Sequence, residues 1–594
     1  MKLSDYIIDF LAGKGLYHNF LVSGGAVIHL VDSSSKHPKM QPICVQHEES
    51  GAAAADAYSR VTRNLGLMMT TSGPGATNIV TSVCNAYFDS IPVLYLTGQV
   101  SRFRLKQSKA LRQRGFQETD IVSMFEGITK YTKLIIDPIT IRYELEKAIF
   151  LATEGRPGPV VLDIPDDLQR EEIDPNQLKP YIAEPTPSKL PLEKIYALTQ
   201  MIQKAKKPVL ILGAGVRCAK AENEVMNFAK LWKMPILVTW GGADLLSQND
   251  ELYMGRLGAC GQRAANFAVQ NSDLVIAMGT RLSQMITGGK QNLFAPSAKK
   301  VMIDIDEAEI KKFDINSIQL DLTIISDLKT FLELYLTNNK KEYSDIFYFW
   351  REKIRTWIHK YPITTPEDYL LKDKVNPYIF IKELSKFASE GAIIIGDTGA
   401  NLSWTMQAFE VKSNQRIFSA WNHTPMGYSL PASIGAALAT SREVICLIGD
   451  GGLMMCLQEL ATVRRHKLPI KIFIFNNQGH GIQKQTIDTW LKSHYVAVDY
   501  KSGLYFPDYE KLAESFDLPY FCIKNHENLN ILNTLALQEG PFVCNIEIEA
   551  NQKIVPMLKY GSRLEDLDPK LPPEELDTIK KECEELDTVS ISLV

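Results

Sequence analysis

Short, unbroken apolar runs at residues 43–46, 67–71 and 93–97 alternate with longer stretches whose apolar positions recur at helical spacing. Continuous apolar runs mark strands buried on both faces, so residues 1–180 predict a parallel sheet covered by helices. A proline-rich stretch at 180–191 reads as a linker. The second block, residues 190–340, opens on Val209-Leu210-Ile211-Leu212 followed by Gly213-Ala214-Gly215, with further apolar runs at 236–239, 274–278 and 301–305. A polar, aromatic helical stretch at about 340–370 separates it from a third block, 371–550, whose runs lie at 392–396, 444–448 and 470–475. From 551 to 594 the chain is charged and proline-bearing, and Leu571-Pro572-Pro573-Glu574-Glu575 opens a final acidic helix. The expected architecture is α/β: three doubly wound parallel-sheet domains, and a tail that covers or interacts without forming a fourth core.

Composition narrows the classes. With 594 residues and 45% hydrophobic content the chain has apolar material for several cores. Its 65 basic and 69 acidic residues leave a net charge of −4, which gives no electrostatic footprint for nucleic acid. No uninterrupted apolar stretch approaches the ~18 residues of a membrane span. Met1-Lys2-Leu3-Ser4-Asp5 leads into Asp9 without the basic-then-apolar layout of a signal peptide. Nine cysteines, never spaced C-x-x-C, suit reduced thiols and a cytoplasmic setting.

The chemistry concentrates in loops at strand ends. Gly449-Asp450-Gly451-Gly452 follows the run at 444–448, and Asn476-Asn477 closes the run at 470–475. Between them Leu453, Leu457, Leu460 and Val463 recur at helical spacing. A strand, helix, strand unit is right-handed almost without exception, so both loops share the carboxyl edge of one sheet, where open α/β folds bind ligands. One carboxylate, one amide oxygen and a nearby backbone carbonyl are hard oxygen donors for Mg²⁺, which completes its octahedron with water and phosphate. The glycines let the backbone approach a diphosphate, and the following helix turns its first amides towards it. Further strand-end motifs are His47-Glu48-Glu49, Ser23-Gly24-Gly25-Ala26, the turn at 71–78 and the loop Asp397-Thr398-Gly399-Ala400-Asn401. Two more are Gly115-Phe116-Gln117-Glu118 and Thr424-Pro425-Met426-Gly427.

In this order, and over about residues 1–550, these motifs resemble the thiamine-diphosphate-dependent decarboxylases and carboligases of the acetolactate synthase-like branch. The resemblance implies a pyrimidine-binding domain at 1–180, a Rossmann-like central domain and a diphosphate-binding domain at 371–550. It implies that Asp450, Asn477 and the backbone carbonyl of Gly479 hold Mg²⁺. Gly399, Asn401, Gly449, Gly451, Gly452, Gly481 and Ile482 would then border the diphosphate end of the cofactor, with Ala400-Asn401 standing in for a commoner Gln-His. Glu48, not Glu49, would face the aminopyrimidine ring and promote removal of the thiazolium proton, with His47 structural and Gly25, Gly73 and Asn78 shaping the same side. Met426 would support the bend of the cofactor.

For the donor, a 2-oxo acid and above all pyruvate, the resemblance gives Gln117 a polar contact and Phe116 an apolar wall. Gln483 and Thr486 would lie on the acceptor side. Thr486 stands where the amino-acid pathway enzymes carry a Trp, so a bulkier carbonyl acceptor is expected. The stretches 502–508 and 562–572 resemble a subgroup that builds branched deoxysugars, which points to a nucleotide-linked keto sugar. The alternatives are a second pyruvate, giving acetolactate, simple decarboxylation or hydrolysis of a diketone, and a non-catalytic cofactor-binding protein. Arg156, Gly213, Gly215, Gly279, Arg281 and Asp304 fall where flavin-binding relatives contact a structural FAD, the alternative being a nucleotide-free domain. Because the family builds its site between two chains, a homodimer is the expected minimum unit and a homotetramer the expected assembly.

Overall fold

The computed structural model describes residues 1–588 apart from 109, 185–191, 315, 341–342, 371–372 and 560, so most of the expected linker at 180–191 lies outside the described residues. The first sheet contains β1 (His18–Leu21), β2 (Gln41–Cys44), β3 (Gly66–Thr70), β4 (Val93–Gln99), β5 (Tyr131–Leu134) and β6 (Val160–Pro165). They lie in the order β2-β1-β3-β4-β6-β5, every pair parallel. The third contains β13 (Ile393–Gly396), β14 (Arg416–Phe418), β15 (Val444–Gly449), β16 (Ile470–Asn476), β17 (Tyr520–Ile523) and β18 (Phe542–Glu547). Its order, β14-β13-β15-β16-β18-β17, repeats that of the first sheet strand for strand. Between them β7 (Pro208–Leu212), β8 (Ile236–Val238), β9 (Tyr253–Arg256), β10 (Leu274–Met278), β11 (Lys299–Asp304) and β12 (Leu322–Ile325) form the order β12-β11-β10-β7-β8-β9. That is the doubly wound dinucleotide-type order, with its switch point between β7 and β10. Three α/β domains with all-parallel six-stranded sheets are therefore present.

Most strands match the apolar runs to within a residue or two. At the run 43–46 the whole strand is displaced by two residues, and β2 ends at Cys44. The amides of Gln46 and His47 are taken by the carboxylate of Glu459 instead of continuing a strand, and His47 caps the helix that follows. The stretch at 340–370 does not simply separate blocks. Its helix Tyr348–Lys360 buries Trp350 and Trp357 in the core of the central domain. The tail packs on that same core: helix Pro573–Thr588 contributes Ile579 and Cys583, and Glu575 accepts from the Tyr361 hydroxyl at 2.6 Å. No described helix is long and apolar enough to cross a membrane.

The first and third domains meet through two helices made of small residues. Helix Glu48–Thr62 carries the buried run Ala52-Ala53-Ala54-Ala55, and helix Ser429–Thr440 presents Ala432, Ser433, Gly435 and Ala436. The backbones approach so closely that a Cβ at Gly435 would lie 1.9 Å from the carbonyl oxygen of Ala54. One hydrophobic cluster consequently runs through both domains, from Phe20 and Ile43 to Ile448 and Ile474. Where all three domains meet, Asp244 accepts from Arg217 at 2.9 Å and Arg416 at 2.7 Å, beside a cavity of about 160 Å³. This contact makes a test. Gly435→Ala must force the two helices apart, and overpacking of this kind costs about 1–3 kcal/mol. A melting temperature unchanged from wild type would contradict the close approach.

Candidate functional site

On the first sheet, Glu48 begins its helix directly after β2, and Asn78 donates from Nδ2 to its Oε2 at 2.9 Å. The missing side chain of Gly75 leaves Oε1 room, since a Cβ there would stand 3.6 Å away. Glu49 does not join this pair, and burial pushes its carboxyl up. The loop at 23–26 is fixed on the turn at 71–78, where Ala26 N donates to Thr71 Oγ1 at 3.2 Å, and Gly25 faces open space. Gly73 adopts φ +61°, and a Cβ there would meet the Gln117 carbonyl at 2.9 Å. Gln117 itself has φ +62°, and Phe116 is 83% exposed. Glu48, Asn78, Gly73 and Gln117 are thus brought together on one edge.

On the third sheet, Asp450 opens helix Asp450–Cys456 after β15. Its carboxylate accepts from Gly451 N at 2.7 Å and from Gly479 N at 3.1 Å. Burial pushes this carboxyl up to about 7 in spite of the backbone donors. A buried acid held there without a cation is unfavourable in its charged form, which a metal ion would reverse. Asn477 stands at the end of β16 with Nδ2 buried and unpartnered, and so does Oδ1 of Asn401 beyond Gly399, whose φ is +102°. Among the described residues no three His, Cys, Asp or Glu side chains gather as a metal cluster. One carboxylate with amide and carbonyl oxygens is instead the donor set of a Mg²⁺ that also binds phosphate, so these residues fit both the ion and a diphosphate. A Cβ on Gly451 would lie 2.7 Å from the His480 ring and 3.2 Å from Met426 Cε, so the glycine makes room for both. Gly449 and Gly481 border Asn401 and Asn477 in the same way. Ile482 follows on helix Gly481–Trp490, where Gln483 and Thr486 are exposed and the Thr486 hydroxyl bonds its own helix at Ile482 O, 2.9 Å.

Three residues of this region escaped the sequence reading as participants. Asp397, fully buried, accepts from Gly427 N at 3.1 Å and Tyr428 N at 2.9 Å, and a Cβ on Gly452 would lie 1.9 Å from it. It locks the Met426 loop to the Asp450 helix, and burial pushes it up to about 6. Its position in the quoted loop was the available signal. His480 was visible as the one aromatic side chain between Gly479 and Gly481; burial pushes its ring down. Glu459 had no local signal, because its partners lie at Gln46 and His47. No hydrogen bond among the described residues joins Glu48, Asn78 or Gln117 to Asp450, Asn477 or Met426.

The six residues expected at FAD gather at the carboxyl edge of the central sheet, but their groups are occupied. Arg156 pairs with Asp306 at 2.8 Å and Glu309 at 2.9 Å, and Arg281 bonds Asn422 and lies 3.5 Å from Glu309. The backbones of Gly213, Gly215 and Gly279 pack on one another, with a Cβ on Gly213 only 2.4 Å from Gly279 O. Asp304 accepts from Asp306 N at 2.9 Å. Mutual packing accounts for the glycines, and nothing in this arrangement calls for a flavin.

A buried acid beside the Gln117 loop gives a pH signature. Asp163 on β6 accepts from Thr97 at 2.6 Å and Gln99 at 2.8 Å, and Gln99 also donates to Thr119 O. Burial raises its pKa from 3.8 to about 7. The folded protein therefore holds this proton over a range in which the unfolded chain has lost it, so stability falls as pH rises from about 4 through 7. Relative to Asp163→Asn, the wild type must be more stable at pH 4 than at pH 8 in denaturant titrations; equal differences at both would refute it.

Comparison with known proteins agrees with this geometry. The N-terminal binding-domain model of the thiamine pyrophosphate enzymes matches residues 1–124, the central-domain model residues 195–334, and the C-terminal binding-domain model residues 397–546. The acetolactate synthase large subunit of Porphyra purpurea is 33% identical over 565 residues, covering 93% of each chain. That of Cyanidium caldarium is 33% identical over 573 residues, covering 93% of this chain and 94% of its own. Chloroplastic acetolactate synthase 2 of Nicotiana tabacum is 32% identical over 582 residues, covering 95% and 85%. The paired sheets and strand-end carboxylates are those of a thiamine-diphosphate-dependent carboligase and decarboxylase, and the chain belongs to the thiamine pyrophosphate enzyme family, in its acetolactate synthase-like branch.

Proposed function

We propose that the chain decarboxylates pyruvate and joins the remaining two-carbon acyl unit to the carbonyl of a second pyruvate, giving acetolactate and CO₂. The observation that carries this reading is a similarity spanning 93% of both chains to proteins named acetolactate synthase large subunits, with the Glu48–Asn78 pair and the Asp450 loop both in place. The comparisons give no support to a nucleotide-linked keto sugar as acceptor, and the second pyruvate takes its place.

Thiamine diphosphate, when bound, supplies the acidic thiazolium carbon and the electron sink for loss of CO₂. Asn78 fixes one oxygen of Glu48 and leaves the other to exchange a proton with a ring nitrogen, which is general acid–base work. Asp450, Asn477 and the Gly479 carbonyl would hold Mg²⁺, while Asn401 and the glycines at 399, 449, 451 and 452 would border the diphosphate. Met426 lies against Gly451 and would supply an apolar support for the cofactor. Gln117 directs its amide to the substrate carboxylate, Phe116 excludes water, and Gln483 and Thr486 border the acceptor.

The active unit is a homodimer within a tetramer, the pyrimidine-side residues of one chain completing the diphosphate side of another. Support comes from the exposure of Phe116 and Met455, and among the described residues no hydrogen bond joins the two groups within a chain. The cytoplasm is the proposed compartment, supported by nine free cysteines. FAD in the central domain rests on family resemblance alone; a flavin spectrum after denaturation decides it.

Labelled pyruvate, offered alone and with nucleotide keto sugars, must yield labelled acetolactate by mass spectrometry; label captured by the sugar would replace the proposed acceptor. Asp450→Asn, or chelation of Mg²⁺, must weaken retention of thiamine diphosphate by at least about tenfold in equilibrium dialysis. Glu48→Gln must keep the cofactor bound yet slow exchange of its thiazolium proton by about a hundredfold or more, followed by NMR.

A further inference from the structure

Glu459 is a buried carboxylate without a part in the reading above. It ends the turn Leu457–Glu459, which continues the helix begun by Asp450, and it is 0% exposed. Its Oε1 accepts from Gln46 N at 3.0 Å and His47 N at 3.1 Å, and its Oε2 from the Thr462 hydroxyl at 2.7 Å. Gln46 and His47 immediately precede helix Glu48–Thr62. Free amides and the positive end of a helix dipole favour an anion at that point, and here the anion comes from the third domain, 413 residues along the chain. His47 adds the local cap, accepting from Glu49 N at 3.2 Å. Two caps, one local and one from the facing domain, therefore fix the backbone on either side of the Glu48 Cα.

We propose that Glu459 is the positioning residue of Glu48: its carboxylate holds the Gln46 and His47 amides so that the Glu48 carboxyl is presented at a fixed place to the cofactor. This rests on the proposed role of Glu48. Side-chain placement relative to a reacting atom is worth large rate factors, and here the placement is set by charge-assisted bonds to the backbone across a domain boundary. The Thr462 hydroxyl keeps the second oxygen from rotating away, and Thr462 is itself buried.

The test uses the full-length protein with thiamine diphosphate and Mg²⁺. Glu459→Gln keeps the shape and one acceptor oxygen, while Glu459→Ala removes both; Thr462→Val loosens the carboxylate without touching it. Expected for Glu459→Gln are cofactor affinity and pyruvate KM within about threefold of wild type and thiazolium proton exchange slowed about tenfold. Glu459→Ala slows it further, and amide hydrogen exchange of residues 45–50 accelerates in both. In a Glu48→Gln background, Glu459→Gln adds no further slowing, since it acts through Glu48. Wild-type thiazolium exchange in Glu459→Gln and Thr462→Val, or slowing that multiplies with that of Glu48→Gln, overturns the positioning role alone. Wild-type exchange in Glu48→Gln itself overturns the reading of Glu48 and the proposal with it. If Glu459→Ala does not fold, the Gln and Val variants carry the measurement.

Discussion

Two helices of small residues set the distance between the sheets that carry the chemistry. Helix Glu48–Thr62 keeps its side chains small from Ser50 to Ala55 because helix Ser429–Thr440 lies against its backbone, with Gly435 over the carbonyl of Ala54. Dispersion between closely apposed backbones falls steeply with separation, so this contact tolerates little change. Its consequence is positional. Glu48 heads one of the two helices, and the Asp397 carboxylate clamps the loop that leads into the other. The same contact that forms the common core thus fixes, within one chain, where the helix headed by Glu48 stands relative to the loop that carries Met426.

Around that contact the protein uses buried carboxylates in two ways. Asp397 and Glu459 are spent on backbone amides and act as fixed joints between segments. Asp450 also receives amides, but it stands beside Asn477 and Asn401, whose buried polar atoms lack protein partners. Unsatisfied polar groups are costly unless a ligand completes them. The electrostatics therefore separate joints from a binding edge more clearly than net charge does, since the overall balance of −4 carries no trace of a diphosphate site.

Much of this was legible along the chain because strands of parallel sheets, buried on both faces, leave continuous apolar runs, and cofactor loops follow them directly. The runs at 444–448 and 470–475 therefore place Asp450 and Asn477 on one edge of a single sheet. The run at 43–46 misled by two residues, because what stops β2 is Glu459, a side chain contributed by a different domain. For the same reason Glu459 could not be found by local pattern. Local pattern likewise does not reveal that Asp306 and Glu309 pair with Arg156 and that Asn422 accepts from Arg281. Long-range pairings are where sequence reading ends.

The alanine-rich helix also has a consequence for how the protein is made. Its partner helix begins at Ser429, so ribosomes at ~5–20 residues per second emit the covering surface tens of seconds after helix Glu48–Thr62 has emerged. Throughout that interval the first domain presents an uncovered apolar face to water. The stretch of synthesis between the two helices is the period in which chaperone capture matters most, and a codon-level pause before residue 429 would lengthen that exposure without altering a single contact in the finished fold.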